Sequence, residues 1–192
     1  FFTLSISSSL QAQILKDCRL PNSVPNRPGE HDDNGKMHMG DFNGDGFQDI
    51  IHWGRDQTGQ AVANLHINNW TNTFSFQSSI FEGGAYPESI EIINLNQDAL
   101  PDLVAACPDR ATRYFINEGN GFFTEASLDL FEEGYWNHLL AEDLNEDGLK
   151  DLILSGRDID LNTVSKVYKG FGSGQFELVK TLNLSISTLK RL

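Results

Sequence analysis

The chain has little of several residue types, and each shortage excludes a class of protein. Lys and Arg number 14 against 27 Asp and Glu, so the net charge is −13 at pH 7, which excludes a basic nucleic-acid-binding surface. No run of 18 apolar residues occurs, so the sequence contains no complete transmembrane helix. The motifs Gly-x-Ser-x-Gly, His-Glu-x-x-His and Cys-x-x-Cys are also missing. What remains is an acidic chain whose length fits one domain.

Cysteine is scarce as well, with only Cys18 and Cys107 present. The two could form a disulfide in an oxidising compartment. Alternatively, Cys107 follows an apolar Val-Ala-Ala run and is a buried thiol in a β-strand. The sequence leaves both interpretations open.

The acidic residues are concentrated in a nine-residue pattern that occurs three times: loop 1 (41–49), loop 2 (94–102) and loop 3 (143–151). Asp or Asn stands at positions 1, 3 and 5, and Asp stands at position 9. Ca²⁺ takes carboxylate, amide and carbonyl oxygens, so the pattern predicts calcium sites in which the position-7 carbonyl adds a ligand. The predicted ligands are Asp41, Asn43, Asp45, Phe47 and Asp49 in loop 1, Asn94, Asn96, Asp98, Leu100 and Asp102 in loop 2, and Asp143, Asn145, Asp147, Leu149 and Asp151 in loop 3.

The three loops do not match the pattern equally well. Loops 1 and 3 carry a glycine at position 6, Gly46 and Gly148, which permits a sharp turn with positive φ. Loop 2 has Asn94 in place of the first acid and Ala99 in place of the glycine. The alternative for each loop is a hairpin turn that binds nothing, and it has most weight for loop 2.

The residues after each loop indicate the secondary structure. An EF-hand needs Glu at position 12 followed by a helix, but these positions hold His52, Ala105 and Leu154. Short apolar runs follow instead, and such runs are typical of buried strands. Each loop is therefore predicted to lie in a β-hairpin.

The loops begin at residues 41, 94 and 143, so the sequence repeats about every fifty residues. Each repeat offers four short strand-like runs, which predicts an all-β fold of three four-stranded antiparallel units. The expected division is a signal-peptide remnant (1–12), a loop-like segment (13–35), units at 36–88, 89–137 and 138–182, and a tail or the start of a further strand (183–192).

The acidic loops, their trailing apolar runs and the element Asn120-Gly121-Phe122-Phe123 resemble the FG-GAP and VCBS repeats of integrin-α-like β-propellers. The resemblance covers roughly residues 36–182. It implies one blade per repeat, calcium between the first two strands of a blade, and a secreted or cell-surface location. Propellers close with about four to eight blades. Three repeats therefore predict an incomplete ring that needs further blades from a longer chain or another subunit.

In that family the face opposite the calcium loops would carry a second set of candidates, which are expected to bind carbohydrate or an extracellular protein. They are Tyr86, Glu88, Tyr135, Trp136 and His138, with Arg55 and Arg157 from two Gly-Arg-Asp segments. The Gly-Arg-Asp segments have a structural interpretation too. Two further functions remain open: a propeller part of a secreted polysaccharide lyase or hydrolase, using Tyr135 and His138 as acid and base, and a structural spacer without a ligand.

Overall fold

The computed structural model describes residues 35–56, 58–70, 73–82, 86–108, 112–126, 131–172 and 174–183. In this part of the chain all the regular elements are β-strands: β1 (Lys36–Gly40), β2 (Asp49–Arg55), β3 (Ala61–Asn68), β4 (Phe74–Glu82), β5 (Ser89–Ile93), β6 (Asp102–Ala106), β7 (Arg113–Gly119), β8 (Phe122–Ala126), β9 (Gly134–Glu142), β10 (Asp151–Asp158), β11 (Thr163–Gly170) and β12 (Phe176–Asn183). No helix in these ranges is long and apolar enough to span a bilayer. The expected signal remnant, nearly all of the N-terminal segment and nearly all of the tail lie outside the described residues.

The strands form three four-stranded antiparallel sheets, each built from four consecutive strands. This confirms the prediction of an all-β fold with three repeated units, and the sheets do not close into a ring. The third sheet begins at Gly134 rather than at residue 138, because β9 continues past a bulge and pairs as far as Asp158.

Two apolar cores lie between neighbouring sheets. Successive side chains of a strand point to opposite faces, and β6 in the middle sheet uses both of its faces. Leu103 and Ala105 belong to the core shared with the first sheet, whereas Val104 and Ala106 belong to the core shared with the third sheet. Every residue of β6 is therefore buried.

Polar contacts also join the sheets. The Asn117 side chain donates from Nδ2 to the carbonyl of Phe42 at 2.9 Å, and Lys150 Nζ donates to the carbonyl of Ile92 at 3.1 Å. Both bonds start or end beside the acidic loops. They fix the loops of adjacent sheets relative to one another.

Candidate functional site

Each acidic loop joins the first and second strands of its sheet. Loop 1 lies between β1 and β2, loop 2 between β5 and β6, and loop 3 between β9 and β10. The two strands of each pair are antiparallel neighbours. This confirms that the loops lie in β-hairpins, as the apolar runs after them predict.

Loop 1 turns its side-chain oxygens inward. Asp41 Oδ1 accepts hydrogen bonds from the N–H groups of Gly44 at 2.8 Å and Asp45 at 3.0 Å, and Asp41 Oδ2 accepts from Gly46 at 2.8 Å. Asn43 Oδ1 accepts from the N–H of Asp45 at 3.0 Å. These bonds fold the loop around the Asp41 carboxylate and bring positions 1, 3 and 5 together.

Loop 3 repeats this arrangement and has a lysine ammonium group beside it. The Asp143 carboxylate accepts from the N–H groups of Asp147 at 3.1 Å and Gly148 at 2.7 Å. Lys169 Nζ lies 3.3 Å from Asp147 Oδ2. The N–H of Leu149, followed by weaker contributions that include Lys169, lowers the pKa of Asp147. The loop thus keeps a negatively charged oxygen that already attracts a positive charge.

Loop 2 closes differently. The Asn94 side chain donates from Nδ2 to the backbone carbonyl of Asp98, so an amide donor stands where loops 1 and 3 have an acid. Gly46 and Gly148 have φ of 88° and 86°, while Ala99 at the same position does not adopt a positive φ. Loop 2 is therefore closed by a bond that the side-chain amide at position 1 donates, which the carboxylates at position 1 of loops 1 and 3 cannot do.

The Asp at position 9 has a structural role that the sequence pattern did not reveal. Asp49, Asp102 and Asp151 are 0–3 % exposed, and in each of them one oxygen accepts from loop position 2 and the other from the end of the third strand. The donors are the N–H groups of Phe42 and Asn68, of Leu95 and Asn117, and of Leu144 and Gly170 respectively. Burial raises the pKa of Asp49 and Asp102. This Asp fastens the loop to the body of its sheet.

A comparison with models of protein families matches the FG-GAP-like repeat twice, over residues 41–105 and 94–154. Each match starts at the first residue of an acidic loop. The chain belongs to the FG-GAP-like repeat family. A search of curated proteins gives no match. FG-GAP repeats are typical of extracellular proteins.

Calcium is the metal that the loops of this FG-GAP chain imply. In the described ranges, no group of three or more His, Cys, Asp or Glu side chains is placed to hold a metal ion by itself. An ion would therefore need the Asn43 or Asn145 amide oxygen and backbone carbonyls besides the carboxylates. The inward-turned oxygen donors of loops 1 and 3, and the Lys169 ammonium beside Asp147, fit a hard cation. Loop 2 offers an ion one carboxylate fewer, because position 1 is the neutral Asn94, whose Oδ1 accepts from the N–H of Gln97 and whose Nδ2 donates to the Asp98 carbonyl.

Two of the aromatic residues expected to form an exposed binding surface on the opposite face are buried, so that expectation is wrong for them. Trp136 is 0 % exposed in the core between the second and third sheets, and its indole N–H donates to the Glu132 carbonyl at 3.2 Å. Tyr86 is 5 % exposed in the core between the first and second sheets. The two rings fill space between neighbouring FG-GAP sheets.

The first Gly-Arg-Asp segment shapes a turn. The Arg55 guanidinium lies 4.8 Å from the centre of the Tyr86 ring and donates to the Gly59 carbonyl at 2.9 Å. The Asp56 carboxylate accepts from the N–H of Gln60 at 3.0 Å, which closes the connection from β2 to β3. These contacts match the structural interpretation of the segment. Arg157, in the second segment, is exposed.

The remaining candidates on this face are at least partly accessible to solvent. Glu88 pairs with Lys36 at 3.1 Å, Tyr135 is 46 % exposed, and His138 is exposed. A cavity of about 810 Å³ opens instead on the side of the acidic loops, is lined by residues of all three loops, and includes neither Tyr135 nor His138.

Cys107 is buried just after β6. Its predicted disulfide partner, Cys18, lies outside the described residues. The disulfide therefore stays a prediction.

Proposed function

We propose that the chain is a calcium-binding repeat module of an extracellular protein, in which loops 1 and 3 each hold one ion. The supporting observation is that the position-1 Asp of both loops accepts N–H groups from positions 5 and 6. This wraps the loop around a cluster of oxygen atoms. The ligands would be the Asp41, Asn43 and Asp45 side chains and the Phe47 carbonyl in loop 1, and the Asp143, Asn145 and Asp147 side chains and the Leu149 carbonyl in loop 3. Asp49 and Asp151, which the sequence pattern also predicts as ligands, would instead fasten the loops to their sheets.

The ion would stabilise the hairpins. Two carboxylates about 4 Å apart repel by about 4 kcal/mol at an effective dielectric constant of 20, and a divalent cation removes this repulsion. Extracellular sites of this chemistry have dissociation constants of about 10⁻⁴ to 10⁻³ M. A site with calcium at ten times its dissociation constant gains about 1.4 kcal/mol.

Thermal unfolding of the metal-free protein tests this proposal. Calcium should raise the melting temperature far more than magnesium does, and Asp41→Asn should remove part of the gain. Asp98→Asn in loop 2 is the matched control and should leave the calcium effect unchanged. Equal melting temperatures with calcium and with a chelator would contradict the proposal.

We also propose that the module is a scaffold that binds carbohydrate or protein ligands.

A second proposed partner is a further repeat of the same kind, stacked against the outer face of the third sheet. Ile51 and Val104 are fully buried by the next sheet, whereas the equivalent Ile153 is only half-buried. On the same face, Leu140, which pairs with Ile153, is 44 % exposed, and Leu182, which lies in register with Ser155 through Ser165, is 46 % exposed. The third sheet therefore offers the apolar surface that its two predecessors cover.

Substitution of this surface tests one premise of the stacking, namely that no other part of this chain covers the surface. Leu140→Ser should leave the free energy of unfolding nearly unchanged, whereas the control Val104→Ser should lower it by about 2 kcal/mol or more. A large loss from Leu140→Ser would show that the surface already has a partner within the chain. Tyr135 and His138, the acid and base of the lyase or hydrolase alternative, do not line the cavity beside the acidic loops.

A further inference from the structure

An exposed tryptophan packs against a half-buried phenylalanine beside loop 1. Trp70, in the connection from β3 to β4, is 70 % exposed. Its ring centre lies 4.3 Å from that of Phe47, which occupies position 7 of the loop. The pair is on the side of the acidic loops, away from the face that the sequence pattern favours for binding.

The other two repeats show that the fold does not require a tryptophan here. Trp70 has φ of 62°, and the equivalent residues two positions after the donor to the position-9 Asp are Gly119 and Gly172, with φ of 85° and 70°. A Cβ atom at either glycine would lie 3.5 Å from the position-7 leucine, Leu100 or Leu149. The two positions are therefore neighbours in all three repeats, but only the first repeat fills them with two aromatic rings and places a bulky residue in a left-handed conformation.

We propose that Trp70 and Phe47 form a binding platform for a neutral pyranose ring, on the assumption that the module binds ligands as proposed above. The apolar face of a sugar ring stacks on a flat aromatic side chain, while neighbouring polar groups bond its hydroxyls. Asn69 and Gln48 are exposed next to the pair. The net charge of −13 and the adjacent acidic loop disfavour an acidic sugar.

The fluorescence of Trp70 offers a local readout of binding. The chain has three tryptophans, and Trp53 and Trp136 are only 3 % and 0 % exposed. A change in emission, or protection from acrylamide quenching, therefore reports on Trp70. Neutral oligosaccharides built from glucose, xylose, mannose or N-acetylglucosamine are the probes, titrated at millimolar concentration with calcium present.

At least one of these sugars should protect Trp70 from quenching, and Trp70→Gly should weaken that binding at least tenfold as measured by calorimetry. The glycine restores the residue found in the other two repeats, so the variant should fold as well as the wild type. Phe122→Ala, which removes another exposed aromatic residue (56 % exposed), is the matched control and should bind normally.

Two outcomes contradict the platform, and they differ in what they leave of the broader ligand-binding role. If Trp70→Gly keeps its sugar affinity, the platform is wrong while the proposed ligand-binding role stands. If the wild type binds none of the neutral sugars, the platform is wrong as well, and a glycan and protein array on the same sample then tests the broader role. Calcium binding by Trp70→Gly should match that of the wild type in either case.

Discussion

Replacing Asp102 by Asn should destabilise the protein through one buried carboxylate. Asp102 is 0 % exposed, and its two oxygens accept from the N–H groups of Leu95 at 2.6 Å and Asn117 at 2.8 Å. Asn keeps one acceptor and turns an NH₂ group toward the other N–H. Loop 2 is the right place for this test, because Asn94 makes it the loop least suited to a metal.

The magnitude follows from the lost bond. A hydrogen bond to a charged group contributes about 1.5–3 kcal/mol, and a buried donor without a partner costs about 1–3 kcal/mol. Burial raises the pKa of Asp102, so Asn also relieves part of the cost of burying a charge. We expect a net loss of about 2–4 kcal/mol, or about 5–15 °C in melting temperature.

Urea and thermal unfolding measure the loss directly. Asp98→Asn is the control, because it changes an exposed carboxylate in the same loop and should cost less than about 1 kcal/mol. The reasoning fails if Asp102→Asn is as stable as the wild type or if the two variants lose equal stability.

Three further predictions concern the loops, pH and close packing. Lys169→Met should raise the calcium affinity of loop 3 about two- to fivefold by removing a competing charge; an unchanged affinity in a calcium titration would contradict this. Burial, followed by the charge of His66, lowers the pKa of His52 from its ordinary value of 6.5 to about 4. As the pH falls, the unfolded chain therefore binds a proton before the folded one does. The free energy of unfolding should decrease as the pH falls from about 6.5 to 4, by about 1–2 kcal/mol after allowance for the partly exposed ring. His52→Phe should flatten this pH dependence in urea unfolding, and an unaltered slope would show that His52 does not cause it. Gly156→Ala should cost about 2 kcal/mol or more, because its Cβ would lie 2.2 Å from the carbonyl oxygen of Tyr135; wild-type stability in urea would show that the strands separate easily.

The repeat and the loops could be predicted because their signals are local. Acidic positions, a turn glycine and a following apolar run occur within a few residues, and each has one clear structural meaning. The left-handed residues at position 4 of the loops were harder to predict. Gly44 signals such a conformation, but Gln97 and Glu146 adopt φ of 65° and 61° without any hint in their residue type.

The burial of Trp136 could not be predicted from the strand alone. In a regular strand Trp136 and His138 would share a face. The bulge pairs Trp136 with Gly156 and His138 with Ser155, so Asn137 is skipped and the two side chains separate. The ring then joins the core while His138 stays exposed. A bulge depends on how two strands pair, which no single strand reveals.

The central claim is tested most directly by removing all metal from the protein and then counting the calcium ions that each chain binds. Equilibrium dialysis at millimolar calcium should find two ions per chain, with dissociation constants of about 10⁻⁴ to 10⁻³ M, and Asp143→Asn should reduce the number to one. Binding of no calcium at these concentrations would contradict the account.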